Sequence, residues 1–169
     1  MKKKLIGFCI LSVLIFYCSI LYFTYFSFLS KANYANNINI SSLNNGDLIL
    51  RCGRSTESYA VYLADKNAEF THIGILALEN NTPYVIHAVP HKNKLVKKET
   101  LNEFLKSKNA SKYAVYRSKY NAFLLNNVVK EANSFYIKKY EFDTEYDLTS
   151  NTKLYCTELI LKAFNNVGI

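Results

Sequence analysis

THIGILALENNTPYVIHAV, residues 71–89, sets two runs of branched and apolar residues around the polar break Glu79-Asn80-Asn81-Thr82. Such runs on either side of a turn signal read as strands, Thr71 to Leu78 and Pro83 to Val89, joined as a hairpin. Closing the hairpin on Asn80-Asn81 sets Gly74 across from His87 and His72 across from Val89. Directly opposed residues of an antiparallel pair project to one side, so His72 and His87 become diagonal neighbours on a shared face. Gly74, lacking a side chain, leaves room between them. A register slip of a single residue would send the two rings to opposite faces.

Working outward, Asp47 to Arg51 reads as a short strand after the turn signal Asn44-Asn45-Gly46. Ser55 caps a helix running to about Ala64. Thr100 and Glu103 form a capping-box pattern, each side chain covering the other's free N–H, ahead of a helix through Phe104 and Leu105. Tyr113 to Arg117 alternates like a strand. Ala122, Leu125, Val129, Ala132 and Tyr136 recur at helical spacing. Thr152 then caps a last helix to Val167, with Ile160, Ala163, Phe164 and Val167 as its apolar stripe. Strands in the middle with helices around them predict an α+β domain over residues 43–169.

Ahead of that domain, Lys2, Lys3 and Lys4 precede an uncharged apolar run from Leu5 to Leu29. At ~1.5 Å per residue the run spans a hydrocarbon core of roughly 30 Å. It exceeds the ~7–15 residues of a typical signal-peptide core, so residues 1–31 are expected to be a retained transmembrane anchor, followed by an Asn/Ser-rich linker at 32–42. Ser30-Lys31-Ala32 keeps cleavage open as the alternative. Cys9 and Cys18 follow the bulky Phe8 and Tyr17, which argues against lipid attachment. The lysines predict a cytoplasmic N-terminus and an extracytoplasmic domain.

The formal net charge is +8. Four lysines lie in residues 1–31 without a single acid, leaving 17 basic against 13 acidic side chains beyond them. Those are scattered apart from Lys92–Lys98, read as a solvated loop, so nucleic acid is not an expected partner. Two cysteines remain outside the anchor, Cys52 and Cys156, and an oxidising compartment would permit a disulfide between them.

Cys156 lies in the first turn of the last helix, where the partial positive charge of a helix N-terminus favours the reactive thiolate. It also lies on the apolar stripe, where cysteine serves equally as a small buried hydrophobe. A thiol nucleophile needs an imidazole to take its proton, and the chain has three histidines. His72, among apolar strand residues, fits a base or a core residue. His87 could fix the tautomer and angle of His72, the part an acid or amide plays in other triads. His91, in the polar loop Pro90-His91-Lys92, reads as merely exposed. Spaced Cys/His ligand pairs are lacking, so neither metal nor cofactor is expected.

In order, Gly46-Asp47, Thr71-His72-Ile73-Gly74, Val85-Ile86-His87-Ala88 and Leu154-Tyr155-Cys156-Thr157-Glu158-Leu159 resemble the YiiX/YebB-like cysteine hydrolases. These are the circularly permuted, NlpC-type branch of the papain fold, related to lecithin:retinol acyltransferase. The resemblance covers roughly residues 43–168. It implies an antiparallel sheet flanked by helices, with the histidine strand ahead of the cysteine helix. It also implies Cys156 as nucleophile, His72 as general base and His87 in the third, polar position. Tyr140-Glu141-Phe142 matches a Tyr-Asp-Phe stretch of the family with Glu in place of Asp, so no role is carried over to that acid. Relatives usually continue past the cysteine helix, so specificity is not carried over either. The implied activity is hydrolysis of amide or ester bonds in cell-wall peptides or lipid-linked acyl groups. An acyltransferase, or a non-catalytic module with a Cys52–Cys156 disulfide, are the alternatives. Oligomeric state is not legible.

Overall fold

A computed structural model describes residues 2–29, 38–65, 68–90 and 95–169, with side chains 10–27 within the first helix. The triplet Ser30-Lys31-Ala32, residues 33–37 of the linker and His91 lie outside the described residues. So do the side chains of Lys2, Lys3, Lys4 and Cys9. The chain divides into two compact units, Met1–Ala32 and Asn33–Ile169.

The first unit is helix α1 (Lys2–Leu29), whose window Ile10–Ser27 is long and apolar enough to cross a membrane. Large side chains from Ile10 to Phe26 are exposed around the helix. A helix that is apolar all round needs a nonpolar surrounding. A membrane anchor and a signal sequence share that property.

The second unit is built on a five-stranded antiparallel sheet of order β4-β3-β2-β1-β5. Its strands are β1 (Leu48–Gly53), β2 (His72–Glu79), β3 (Thr82–Ala88), β4 (Val96–Thr100) and β5 (Ala110–Tyr116). Helices α2 (Thr56–Ala64), α3 (Leu101–Leu105), α4 (Ala122–Ile137) and α5 (Cys156–Asn165) surround it. A short parallel ribbon, β6 (Glu141–Phe142) and β7 (Lys153–Leu154), precedes α5.

The predicted hairpin forms in the predicted register, Ile75 against Ile86 through Glu79 against Thr82. Asn80 and Asn81 turn it with φ of 48° and 63°. Positive φ at both central positions gives a turn whose twist matches the strands, and asparagine tolerates that backbone better than most residues. Ser55, Thr100 and Asn121 each accept a backbone N–H as the N-caps of α2, α3 and α4.

Four details differ from the sequence reading. Lys97 and Lys98 belong to β4, at the sheet edge, where lysines discourage pairing with other chains. Glu103 does not reach back in a reciprocal box; its carboxylate pairs with Lys106 and Lys108, both at 3.3 Å. The buried stripe of α4 ends on Phe135, while Tyr136 is exposed. Finally, α5 starts at Cys156 instead of just after Thr152. Lys153 and Leu154 are drawn into pairing with Glu141 and Phe142, so the helix begins only after Tyr155.

Each face of the sheet carries a core. On one, Ile75, Ala77, Ile86 and Ala88 pack against Val128, Ala132 and Phe135 of α4 and Leu159 and Ala163 of α5. On the other, Ile49, Leu76 and Val85 pack against Leu101, Phe104 and Leu105 of α3. Full burial of one such Leu or Phe contributes about 1.5–3 kcal/mol, so α5 is fixed to the sheet mainly through Leu159 and Ala163.

Candidate active site

The start of β2 is held by backbone chemistry. Thr71 N–H donates to the Arg51 carbonyl at 3.0 Å, and Thr71 Oγ1 accepts from Gly53 N–H at 2.9 Å. Both ties fix the next residue, His72, opposite Arg51 of β1. The register then places Gly74 across from His87, where a Cβ would lie 3.1 Å from His87 Cβ and 3.0 Å from the Ile86 carbonyl oxygen. Glycine is required there by close approach.

The two rings meet as the diagonal pairing predicts. His72 Nε2 and His87 Nδ1 are 2.8 Å apart, the rings near perpendicular at 76°. Phe104 of α3 packs against both, with centroids at 5.8 Å and 4.9 Å. Burial, the neighbouring His87 and the Arg51 cation together hold His72 well below the ordinary imidazole range. His87 is lowered too, chiefly by burial, against the opposing pull of Glu99. Both rings are therefore neutral at neutral pH, and a neutral imidazole can accept a proton.

Beyond His87 stands Glu99 of β4, with Oε1 3.1 Å from His87 Nε2. Arg51 lies nearby: its guanidinium sits 4.1 Å above the Phe104 ring, Nη1 donates to the Phe104 carbonyl at 2.6 Å, and Glu99 Oε1 is 3.9 Å away. Burial pushes Arg51 down to about 10, which leaves it charged at neutral pH. His87, Arg51 and Lys97 outweigh burial in holding Glu99 below the usual carboxylate range.

Cys156 is the first residue of α5, half-buried. Glu158 shapes that helix start: its carboxylate accepts from Tyr155 N–H at 3.3 Å and pairs with Lys162 at 2.9 Å, while Lys162 also donates to the Ser150 carbonyl. In the Tyr-Cys-Thr-Glu-Leu motif, then, the acid is a buried strut and Leu159 a core residue. The backbone N–H groups of Thr157, Ile73 and Cys156 itself favour the Cys156 thiolate. Burial pushes the thiol up, and these donors and Arg51 only partly oppose it. The resting sulfur is a neutral thiol, in contrast to the thiolate that helix position alone predicts.

Thiol and imidazoles reach the site from two sides. Helix α5 packs on the Ile75 face, whereas His72 and His87 lie against Phe104 on the other. The Ile73 amide of β2, the residue after His72, is among the groups that favour the Cys156 thiolate.

Sequence reasoning missed Arg51, Glu99 and Phe104. Arg51 was legible as the residue ending the first strand. Glu99 was hidden because β4 had not been recognised; once it pairs His87 with Lys97, Glu99 is the diagonal neighbour of His87. Cys52 is buried, and both Cys52 and Cys156 are free thiols. Asp47 of the Gly-Asp motif is structural: it is fully buried, accepts from Arg117 at 2.8 Å and 2.7 Å, and accepts from Asn44 N–H at 2.8 Å. Glu141 is exposed. The buried acid nearby is Asp143, which accepts from the N–H groups of Glu145 and Asp147 and folds the loop before α5.

Residues 42–169 match the model of a family described as permuted papain-like amidases, YaeF/YiiX, C92. The uncharacterized protein YiiX of Escherichia coli K12 is 28% identical over 123 residues, covering 72% of this chain. The chain spans only 57% of that relative's length. The crystal structure of metalloprotein yiiX from Escherichia coli O157:H7 superposes with a TM-score of 0.63 at 27% identity. That similarity covers 75% of this chain and 67% of the other.

Proposed function

This chain belongs to the YaeF/YiiX family of permuted papain-like amidases, and from that premise we propose that it is a thiol hydrolase of amide or ester bonds. Cys156 is the nucleophile, His72 the general base and His87 its orienting partner. The observation that carries the proposal is the 2.8 Å imidazole pair at the start of β2, with the adjacent Ile73 amide and Arg51 both acting on the Cys156 thiol.

His72 uses Nε2 toward His87, so Nδ1 is the nitrogen available to the thiol. As sulfur attacks the carbonyl, His72 accepts its proton, and the carbonyl π electrons move to oxygen. Backbone N–H groups at the start of α5 stabilise that oxyanion, a term of about 3 kcal/mol per donor in comparable sites. Collapse expels the amine or alcohol, which takes the proton from His72. Water, deprotonated by the same ring, then releases the acid and regenerates the thiol. Because both partners rest neutral, proton transfer belongs to the attack step and does not precede it.

Helix α1 serves as a single-pass anchor with the N-terminus cytoplasmic, which places the domain outside the cytoplasm. Substrates near the membrane follow, either peptides of the cell wall or lipid-linked acyl groups. The relative of solved structure is called a metalloprotein. Among the described residues here, no three or more His, Cys, Asp or Glu side chains converge as a metal site.

The test is acyl-enzyme trapping. Full-length protein in detergent, treated with a p-nitrophenyl ester and mapped by mass spectrometry, gains the acyl mass on Cys156. The adduct survives Cys52→Ala and is lost in Cys156→Ala. An adduct elsewhere, or one that persists in Cys156→Ala, refutes the assignment. Adding an amine acceptor separates transfer from hydrolysis by its product.

A further inference from the structure

Glu99 has no part in the Cys156–His72–His87 arrangement carried over from the family, yet its position determines which nitrogens hold protons. We infer that Glu99 is a positioning residue that locks His72 and His87 into a single tautomeric state, leaving His72 Nδ1 bare for the thiol. This deepens the hydrolase proposal and rests on it for its functional meaning.

The argument is one of hydrogen counting. An ionised carboxylate only accepts. Glu99 Oε1 lies 3.1 Å from His87 Nε2, outside hydrogen-bond geometry but close enough that an anionic oxygen favours a hydrogen on that nitrogen over a lone pair. A neutral imidazole has one N–H, which leaves His87 Nδ1 as an acceptor. Its partner at 2.8 Å is His72 Nε2, which must therefore donate. His72 in turn has spent its one N–H, and its Nδ1 keeps a lone pair. Reversing both rings would place a lone pair of His87 against the carboxylate and a hydrogen on His72 Nδ1, where a base is needed.

Three features keep Glu99 in this role. Arg51, stacked on Phe104 and bonded to its carbonyl, stands 3.9 Å from the carboxylate and favours its anionic form. Lys97, directly across from His87, adds a second positive charge. His87 is only 1% exposed, so water does not compete for Nε2.

Nitrogen-15 NMR of the full-length protein in detergent, labelled only at histidine, reads the tautomers directly. With His91→Asn the spectrum holds two rings. The expected wild-type pattern is a protonated Nε2 and a bare Nδ1 on both. Glu99→Ala loses the single pattern, and Cys156 alkylation by iodoacetamide at neutral pH slows about tenfold, a part of the roughly 10²–10⁴-fold that a general base contributes. Glu99→Gln keeps an acceptor oxygen and restores the wild-type pattern. A proton on His72 Nδ1 in the wild type overturns the inference, as does a pattern unchanged in Glu99→Ala or unrestored by Glu99→Gln. Should Glu99→Ala fail to fold, the wild-type and Glu99→Gln spectra decide. The tautomers are read without turnover, so failure of the hydrolase proposal would show separately, as the absence of a Cys156 acyl adduct.

Discussion

Gly74→Ala is the sharpest structural perturbation, because a single methyl tests the space between the imidazole strands. The added Cβ would lie 2.4 Å from Val85 Cγ1, 3.0 Å from the Ile86 carbonyl oxygen and 3.1 Å from His87 Cβ. Val85 can change rotamer, but the other two contacts belong to the β3 backbone and the root of the imidazole. Relief requires β3 to move by a few tenths of an ångström, enough to lengthen the 2.8 Å His72–His87 contact. Overpacking of this kind costs about 1–3 kcal/mol, and relief of glycine's backbone entropy returns about 0.5–1 kcal/mol. The net expectation is a loss of about 1–2 kcal/mol, read as a Tm lowered by roughly 3–8 °C. Thermal melting of the full-length protein in detergent gives the stability term, and the iodoacetamide rate at Cys156 gives the effect on the imidazole pair. A variant as stable as wild type, with an unaltered alkylation rate, would show that the close approach at Gly74 does not position His87.

Glu158→Ala removes the buried carboxylate that holds Tyr155 N–H and Lys162, and is expected to cost about 2–4 kcal/mol in chemical denaturation; an effect below about 0.5 kcal/mol would refute its role as a strut. Asp47→Ala strips an acceptor from Arg117 and Asn44 N–H, with an expected loss of about 1–3 kcal/mol and no change in Cys156 reactivity per folded molecule. On pH, the folded state lowers the His72 pKa, so the unfolded chain binds more protons near and below pH 6.5 and stability falls as pH drops through that range. Cys156 is raised from 9.0, so the unfolded chain loses its proton first and stability falls again above about pH 9. Denaturant titrations from pH 4 to 10 should show both limbs, and His72→Gln should flatten the acidic one. Acid-side curves that superimpose for wild type and variant would contradict the buried neutral His72.

The hairpin and its histidines were legible because period-two patterning and a two-residue asparagine turn leave little choice of register. Caps such as Ser55 and Thr100 were legible for a similar reason: the side chain that satisfies the backbone N–H sits within three residues. The start of α5 was misread because the decisive partners are remote. Leu154 pairs with Phe142, and Lys162 ties Glu158 to the loop at Ser150. Local propensity at Thr152 carries no trace of these contacts. Glu99 stayed hidden because a lysine-rich edge strand looks like a loop in sequence. The protonation state of Cys156 was likewise out of reach, since helix position favours thiolate while burial, which only the fold creates, opposes it.

The most direct test is the pH dependence of Cys156 alkylation, compared between full-length wild type and His72→Ala. If His72 is the base, the wild-type rate at neutral pH should exceed that of the variant by roughly 10²-fold or more, with Cys52 unmodified in the folded protein. Superimposable profiles for the two proteins, rising only as a free thiol ionises, would contradict a Cys156–His72 dyad.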